Sequence, residues 1–165
     1  MHRKLAVRAA ATLFAVGALA PVTALAIGTG SASASGGGSQ VSCAKLKGNE
    51  STQALSKCTG PLDIVGGTKP GKGTGSSSAA SAPSGYEEGQ TVSWNKGAGG
   101  TITVGINFTE SSGCPGKDLT IVESGMVVSG TGKAAALVGD SATGTACLDT
   151  KSGKLSNKKG SHFTY

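Results

Sequence analysis

The sequence predicts a small all-β domain, either an antiparallel Ig-like sandwich or a small barrel, held by two disulfides. Residues 101–108 alternate strictly between polar and apolar side chains, which is the period of a half-buried strand. Further short apolar runs are separated by Gly-rich turns, with no convincing helical period between them. The 165 residues include four cysteines, an even number that suits two disulfides. Short strands at this spacing favour a two-layer sandwich or a small barrel.

The N-terminal 34 residues are predicted to be a signal peptide, which precedes the domain as a helix. Arg3, Lys4 and Arg8 form a basic start, residues 9–28 are an apolar run, and residues 32–34 supply the small-x-small cleavage signature. Cleavage there predicts a secreted protein, extracellular or cell-wall associated, with no membrane contact after cleavage. An uncleaved membrane anchor is the alternative, because about 20 apolar residues can just span a bilayer.

The remaining chain is predicted to contain a flexible tether at residues 35–40 and a single β domain at residues 41–165. The formal net charge of the full sequence is +6, yet both arginines lie in the predicted signal peptide. Arginine supplies the planar fork that binds phosphate through two bonds, so we expect no nucleic-acid partner. The 37% apolar content is too high for a disordered chain, and the length is too short for a large multidomain enzyme. A monomer is expected.

Cys43, Cys58, Cys114 and Cys147 allow three disulfide pairings. We favour Cys43 with Cys58 and Cys114 with Cys147, because the nearest partners meet most easily. The first pair would close a hairpin whose turn falls near Gly48 and Asn49. By chain entropy each disulfide would contribute about 3 to 4 kcal/mol.

The strand at residues 101–108 is predicted to pair with residues 91–94 as a hairpin, across a Gly-rich turn. Val92 and Trp94 would face inward, with Trp94 filling the core. The apolar residues of the longer strand share that inward face: Ile102, Val104, Ile106 and Phe108. Trp94 could instead be a carbohydrate-stacking platform, but its phase with Val92 favours the core.

Three further segments complete the predicted domain. Residues 119–128 are strand-like but change phase near Val122 and Glu123, which predicts a bulge or a crossing between sheets. Residues 142–148 and 163–165 alternate again and predict two more strands. The Gly/Ser-rich run at residues 66–85 predicts a flexible loop inside the domain.

Few residues suggest catalysis. Gly139, Asp140 and Ser141 spell the nucleophile string of chymotrypsin-like proteases, although Ala142 follows where a small glycine pair would build the oxyanion hole. His162 is the one histidine after the signal peptide, and a position near the chain end favours a surface edge strand. The competing hypothesis to a binding module is therefore a small secreted serine hydrolase built on Ser141, or another serine, with His162.

Two other strings are interpreted as structural. Residues 66–73 nearly match a phosphate-binding loop, but Gly73 follows the lysine where Ser or Thr should hold magnesium. Glu87 and Glu88 are adjacent, so they would point to opposite faces of a strand and cannot flank one substrate. They are expected in a solvated loop. We assign no catalytic residue, no cofactor and no metal ligand.

One basic cluster surrounds the last predicted turn: Lys151, Lys154, Lys158 and Lys159. It is a candidate contact for an anionic polymer, such as an acidic glycan or a teichoic acid. The alternative is that these lysines protect an edge strand from aggregation, and this is the outcome we expect.

The mature chain also resembles an uncharacterised family of small secreted four-cysteine actinobacterial proteins. The resemblance rests on the order of the four cysteines and of short strings between them: Ser42-Cys43, Cys58-Thr59, Ser93-Trp94, Gly113-Cys114-Pro115, Gly130-Thr131-Gly132, Cys147 and residues 159–163. It implies the same four-cysteine β-rich fold and carries over no activity.

A more distant resemblance, by class only, is to Ig-like apoproteins of the neocarzinostatin type, which hold an apolar small molecule. Their closely spaced cysteine pairs do not match the separations here. The sequence therefore predicts a secreted or cell-envelope-associated, non-catalytic β module of binding or structural role, with a serine hydrolase and a small-molecule carrier as alternatives. Its ligand would be an extracellular or envelope component.

Overall fold

A computed structural model describes residues 40–116 and 118–165, which form one antiparallel β-structure. The predicted signal peptide and residues 35–39 of the predicted tether lie outside the described residues. The nine strands are β1 (Ser42–Asn49), β2 (Thr52–Thr59), β3 (Gly73–Ala80), β4 (Glu88–Trp94), β5 (Gly100–Ser111), β6 (Leu119–Gly130), β7 (Ser141–Asp149), β8 (Lys154–Asn157) and β9 (Phe163–Thr164). One short helix, α1 (Leu62–Val65), and two 3-10 helices, Asn95–Gly97 and Gly132–Leu137, complete the elements.

The strands close into an eight-stranded barrel. Each strand from β1 to β8 pairs antiparallel with the next one along the chain, and β1 also pairs with β8, where Lys47 and Asn49 face Ser156 and Lys154. Beyond the end of β8, β9 pairs with β1 and with β7. The predicted all-β class is confirmed, and of its two architectures the structure has the closed barrel.

Local sequence explains the two clearest hairpins. Asn49 ends β1, and its side-chain oxygen accepts hydrogen bonds from the amides of Ser51 at 2.9 Å and Thr52 at 2.8 Å, which fixes the turn. The predicted pairing of residues 91–94 with residues 101–108 is confirmed, with Val92 opposite Ile102. Val92 and Trp94 are both fully buried, so the predicted inward face is also confirmed.

The two ends of the barrel differ. The connections that follow β2, β4 and β6 carry α1 and the two 3-10 helices, and they cover one end. There the ring of Trp94 meets the ring of Tyr165 edge-on, with centroids 5.4 Å apart. The backbones of Val41 and Tyr165 exchange two hydrogen bonds of 2.8 Å beside them. The opposite end, at the turns after β1, β3, β5 and β7, is open.

Large apolar side chains fill the interior toward the covered end. The largest of these fully buried residues are Trp94, Phe163, Leu46, Leu55, Ile102, Ile106 and Leu137. Glycines make room for the two largest rings: an added Cβ at Gly75 would lie 2.6 Å from the Trp94 ring, and one at Gly144 would collide with the Phe163 ring. The interior of an eight-stranded barrel is just wide enough for side chains, so large and small residues must alternate across it.

Both disulfides have the predicted local pairing. Cys43 and Cys58 are direct partners in the β1–β2 register, and Cys114 in the β5–β6 connection is bonded to Cys147 on β7. Two disulfides in a small domain are typical of proteins in an oxidising compartment. Within the described part of the chain, no helix has the length and apolar character needed to cross a membrane.

The predicted flexible loop at residues 66–85 is wrong in its central part. Strand β3 occupies Gly73–Ala80 and pairs with β2 on one side and β4 on the other. The small side chains that suggested flexibility are those that fit here, because Gly75 lies against the ring of Trp94. The barrel closes through a strand that carries little apolar surface of its own.

The predicted phase change near Val122 and Glu123 is also wrong. Strand β6 keeps its alternation there, with Ile121, Glu123 and Val127 facing inward and buried. The register with β5 shifts instead between Thr103 and Val104, whose partners are Ser129 and Val127. The outer face of β6 carries the exposed apolar residues Val122, Met126 and Val128.

Replacing Gly75 by alanine should destabilise the barrel, because the new methyl group would press on the buried Trp94 ring. Overpacking of this kind costs about 1 to 3 kcal/mol. Ser76→Ala, at the exposed neighbouring position, is the matched control and should change the free energy of unfolding by less than about 0.5 kcal/mol. Urea unfolding of the oxidised protein measures both values, and equal effects of the two changes would contradict the packing described here.

Candidate functional site

An acidic cavity lies at the open end of the barrel. Its volume is about 140 Å³. The lining side chains come from β2, β4, β5, β6, β7, β8 and the β1–β2 turn: Glu50, Gln53, Glu88, Gln90, Phe108, Glu110, Ile121, Glu123, Leu148 and Leu155. Four carboxylates and two amides thus share one concave surface with four apolar side chains. Among the described residues, no basic side chain lines it.

Glu123 is the buried carboxylate of this cavity. Its side chain faces inward from β6 and is 6% exposed. Among the described residues no hydrogen bond to its carboxylate is present. Burial raises the pKa of Glu123 from 4.5 to about 7, and the negative charge of Glu88 adds to the effect. Buried charges in proteins are normally paired, so an unpaired one in a cavity is a candidate for ligand contact.

The negative charge of Glu123 also affects the pKa of Tyr165. Tyr165, fully buried at the covered end, has its phenol pKa raised first by burial and second by the negative charge of Glu123.

Two glutamines lie at the inner wall of the cavity. The hydroxyl of Ser77 is within hydrogen-bond distance of the side-chain oxygens of Gln53, at 3.3 Å, and of Gln90, at 3.1 Å. All three residues are buried. A hydroxyl has one proton, so it can donate to one of these oxygens at a time, and each amide oxygen has a second lone pair that can accept a further hydrogen bond.

The outer rim of the cavity is acidic and exposed. Glu50, Glu88 and Glu110 surround the opening. The pKa of Glu88 is raised by partial burial and by the neighbouring negative charges of Glu50 and Glu87. Clustered like charges create a negative potential at the mouth, which attracts cations and repels anions.

The sequence predicts both Glu87 and Glu88 in a solvated loop, and this prediction is wrong for Glu88. Glu88 begins β4 and lines the cavity, whereas the carboxylate of Glu87 accepts a 2.9 Å hydrogen bond from the amide of Phe108. The two side chains do have different surroundings, as expected for neighbours at the start of a strand.

The residues of the hydrolase hypothesis do not come together as predicted. Ser141 begins β7, while Ser161, next to His162, donates a hydrogen bond to the carbonyl of Thr145, four residues further along that strand. At about 3.3 Å per residue, four residues of strand place Ser141 roughly 13 Å from the position beside Thr145 where Ser161 and His162 lie. The serine that His162 contacts is Ser42, whose hydroxyl oxygen lies 3.2 Å from its Nδ1. In the described residues no carboxylate hydrogen-bonds this histidine.

The four lysines of the predicted cluster do not share one groove. Lys158 and Lys159 share one groove of about 280 Å³ with Lys45 and Lys47, which the sequence analysis had not grouped with them. Lys154 lines a separate groove that also holds Asp149, while Lys151 lies in the β7–β8 turn. The proposed edge protection is wrong, because β8 is paired with β7 and β1 and is not an edge strand.

Glu123 is not among the residues predicted to face inward, because inward positions of β6 are assigned to apolar side chains. A signal was present: Ile121, Glu123 and Val127 have odd numbers and share one face under strict alternation. The rim residues Glu50 and Glu110 could not be grouped from sequence, since they lie 60 positions apart and meet only in the closed barrel.

The fold and the cavity define a small closed antiparallel barrel with one acidic, open end. Comparisons of the chain with protein-family models, with curated proteins and with solved structures find no match. Within residues 40–116 and 118–165, no group of three or more His, Cys, Asp or Glu side chains is arranged to hold a metal ion.

The raised pKa of Glu123 predicts a pH-dependent stability. Between about pH 4.5 and pH 7 the folded protein holds a proton on Glu123 that the unfolded chain releases. The free energy of unfolding should therefore fall as the pH rises through this window, by on the order of 3 kcal/mol for this group. Glu123→Gln should remove that slope and be more stable than the wild type at pH 8.

Urea unfolding between pH 4.5 and pH 8 measures this difference. Glu110→Gln, at the exposed rim, is the matched control and should follow the wild-type profile. Parallel profiles for the wild type and Glu123→Gln would show that Glu123 titrates normally.

Proposed function

We propose that the protein is a secreted or cell-envelope-associated, non-catalytic β-barrel module that binds a small ligand in the cavity at its open end. The observation that supports this proposal is the carboxylate of Glu123, which faces the cavity, is 6% exposed and has no hydrogen-bond partner among the described residues. Natural proteins retain such destabilising groups mainly where function needs them.

The size and lining of the cavity favour a small molecule. A cavity of about 140 Å³ is similar to one of roughly 150 Å³ that holds a benzene molecule. Polar groups placed among apolar walls are the usual composition of a ligand pocket. A purely apolar ligand, as in the neocarzinostatin-type alternative, would leave Glu123 and the glutamines without partners.

The disulfides support an extracellular location, together with the predicted signal peptide. The module would act as a monomer, without nucleic acid and without membrane contact after cleavage. The groove of Lys45, Lys47, Lys158 and Lys159 would supply a second, weaker contact to an anionic polymer of the cell envelope.

A serine hydrolase is the second candidate function, and the contact between Ser42 and His162 is the observation that favours it. A base that orients a serine hydroxyl is the first requirement of nucleophilic catalysis. The pair lies at the exposed surface where β1 meets β9, apart from the residues that line the acidic cavity. This location favours a structural contact between the two strands.

Filling the cavity should abolish ligand binding. Leu148→Trp adds a ring at a half-buried lining position, and Val122→Trp adds the same ring to the outer face of β6, where the native side chain is 39% exposed. The probes are n-butylamine, n-butanol and butyrate, titrated into ¹⁵N-labelled protein at pH 8. At least one probe should shift the amides of residues 121–123 in the wild type and in Val122→Trp, but not in Leu148→Trp.

Absence of any shift at these amides with all three probes would overturn the binding function.

Labelling with a serine-reactive fluorophosphonate tests the second candidate. We expect no labelling of the folded protein. Labelling of Ser42 that disappears in His162→Ala would overturn the non-catalytic proposal, and His2 lies in the predicted signal peptide and does not confound the result.

A further inference from the structure

The acidic cavity holds one group that selects its ligand, the Glu123 carboxylate. An ionised carboxylate accepts hydrogen bonds and donates none. Glu123 faces the cavity from the barrel wall, is 6% exposed and has no hydrogen-bond donor among the described residues. A ligand that brings both a positive charge and N–H donors would satisfy it, and such charge-assisted hydrogen bonds are the stronger ones.

A second acceptor is available beside it. Ser77 can donate its single proton to Gln53 or to Gln90, and an amide oxygen has two lone pairs, so each of these oxygens can accept a further hydrogen bond. Both glutamines line the same cavity as Glu123. A primary ammonium group has three donors and no acceptor. Glu123, one glutamine oxygen and a water molecule at the open mouth would match those three donors.

The remaining lining is apolar. Phe108, Ile121, Leu148 and Leu155 form the other walls. Hard metal cations such as Ca²⁺ take six to eight oxygen ligands, and among the described residues the acidic side chains are not grouped so as to hold a metal ion. A short alkyl chain buries its surface favourably against such apolar walls.

The rim supports the same charge selection. Glu50, Glu88 and Glu110 are exposed around the opening, so their charges act through solvent. Their combined potential would raise the local concentration of cations and exclude anions before any contact with Glu123.

We infer that the cavity binds a primary alkylammonium group with a stem of about four carbons, bonded to Glu123 and to Gln53 or Gln90 and lined by the apolar walls. This inference rests on the proposed function, because it names the ligand class of the same site. The same chemistry is presented by a free alkylamine and by the side chain of a lysine, whose ammonium also has a four-carbon stem.

The affinities of matched probes test the inference. Isothermal titration at pH 8, where both Glu123 and the amine are charged, compares n-butylammonium with n-butanol and butyrate, which have the same stem. We expect n-butylammonium to bind roughly 10- to 100-fold more tightly than n-butanol, which is the usual range for a hydrogen bond to a charged group. Butyrate should bind more weakly than both.

Variants of the protein identify the contact. Glu123→Gln keeps the shape of the side chain and should lose roughly 10-fold or more in n-butylammonium affinity while keeping that for n-butanol. Glu87→Gln removes one charge close to the mouth without changing the cavity lining, and should stay within about twofold of the wild type, as expected for an exposed charge. An unchanged ¹⁵N–¹H spectrum outside the cavity would show that both variants are folded.

The outcomes separate this inference from the function on which it rests. Binding of n-butanol as tight as that of n-butylammonium, or full affinity in Glu123→Gln, would overturn the alkylammonium assignment and leave the binding function intact. Displacement of n-butylammonium by equimolar Ca²⁺ would overturn it in favour of a metal ion. Absence of binding by every probe would overturn both.

Titration with one further probe identifies the source of the ammonium group. Nα-acetyl-lysine methylamide carries the same stem on a peptide backbone. Affinity equal to that of n-butylammonium would support the assignment with a lysine side chain as the natural ligand. Binding of n-butylammonium alone would support it with a free amine.

Discussion

The pairing of β1 with β8 closes the sheet, and the width of the resulting barrel limits every inward position. Eight strands enclose a space that side chains alone can fill. Trp94 and Phe163 take most of that space at the covered end, and they fit only because Gly75 and Gly144 carry no side chain beside them. This constraint explains why β3, a strand of small residues, belongs to the barrel wall.

The open end of the barrel differs from the covered end in both its connections and its inward residues. Among the described residues, the turns after β1, β3, β5 and β7 carry no helix to cover the interior. The inward positions near these turns are mixed, with Gln53, Ser77, Gln90 and Glu123 buried beside the apolar side chains that line the cavity. The covered end therefore supplies stability through apolar packing, whereas the open end buries polar groups at a cost. Glu123 contributes to this cost, since burial raises its pKa to about 7 and leaves its charge without a partner among the described residues.

The parts of this structure that the sequence predicts are those that depend on local patterns. The alternation at residues 101–108, the inward position of Trp94 and the local disulfide pairs involve partners that are near in sequence, so spacing alone identifies them. Strand β3 and Glu123 were missed for a common reason. Strands and inward faces are predicted from apolar side chains. Strand β3 has few apolar side chains, and Glu123 is a charged residue at an inward position.

The composition of the cavity and of the surface could not be predicted, because closure assembles both from distant segments. Glu50 and Glu110 meet at the rim through β1 and β5, and Lys45 joins Lys158 through the pairing of β1 with β8. The contact of Ser42 with His162 depends on β9 pairing with β1. In each case a strand pairing that the sequence does not encode locally decides which side chains become neighbours.

The titration of the Glu123 carboxyl group, followed by ¹³C NMR of its side-chain carbon in the folded protein, tests this account most directly. If the barrel closes as described and places Glu123 inside, its titration midpoint will lie at about pH 7. A midpoint near 4.5, the ordinary value for a solvated glutamate, would place Glu123 in water and contradict both the buried carboxylate and the function proposed for the cavity.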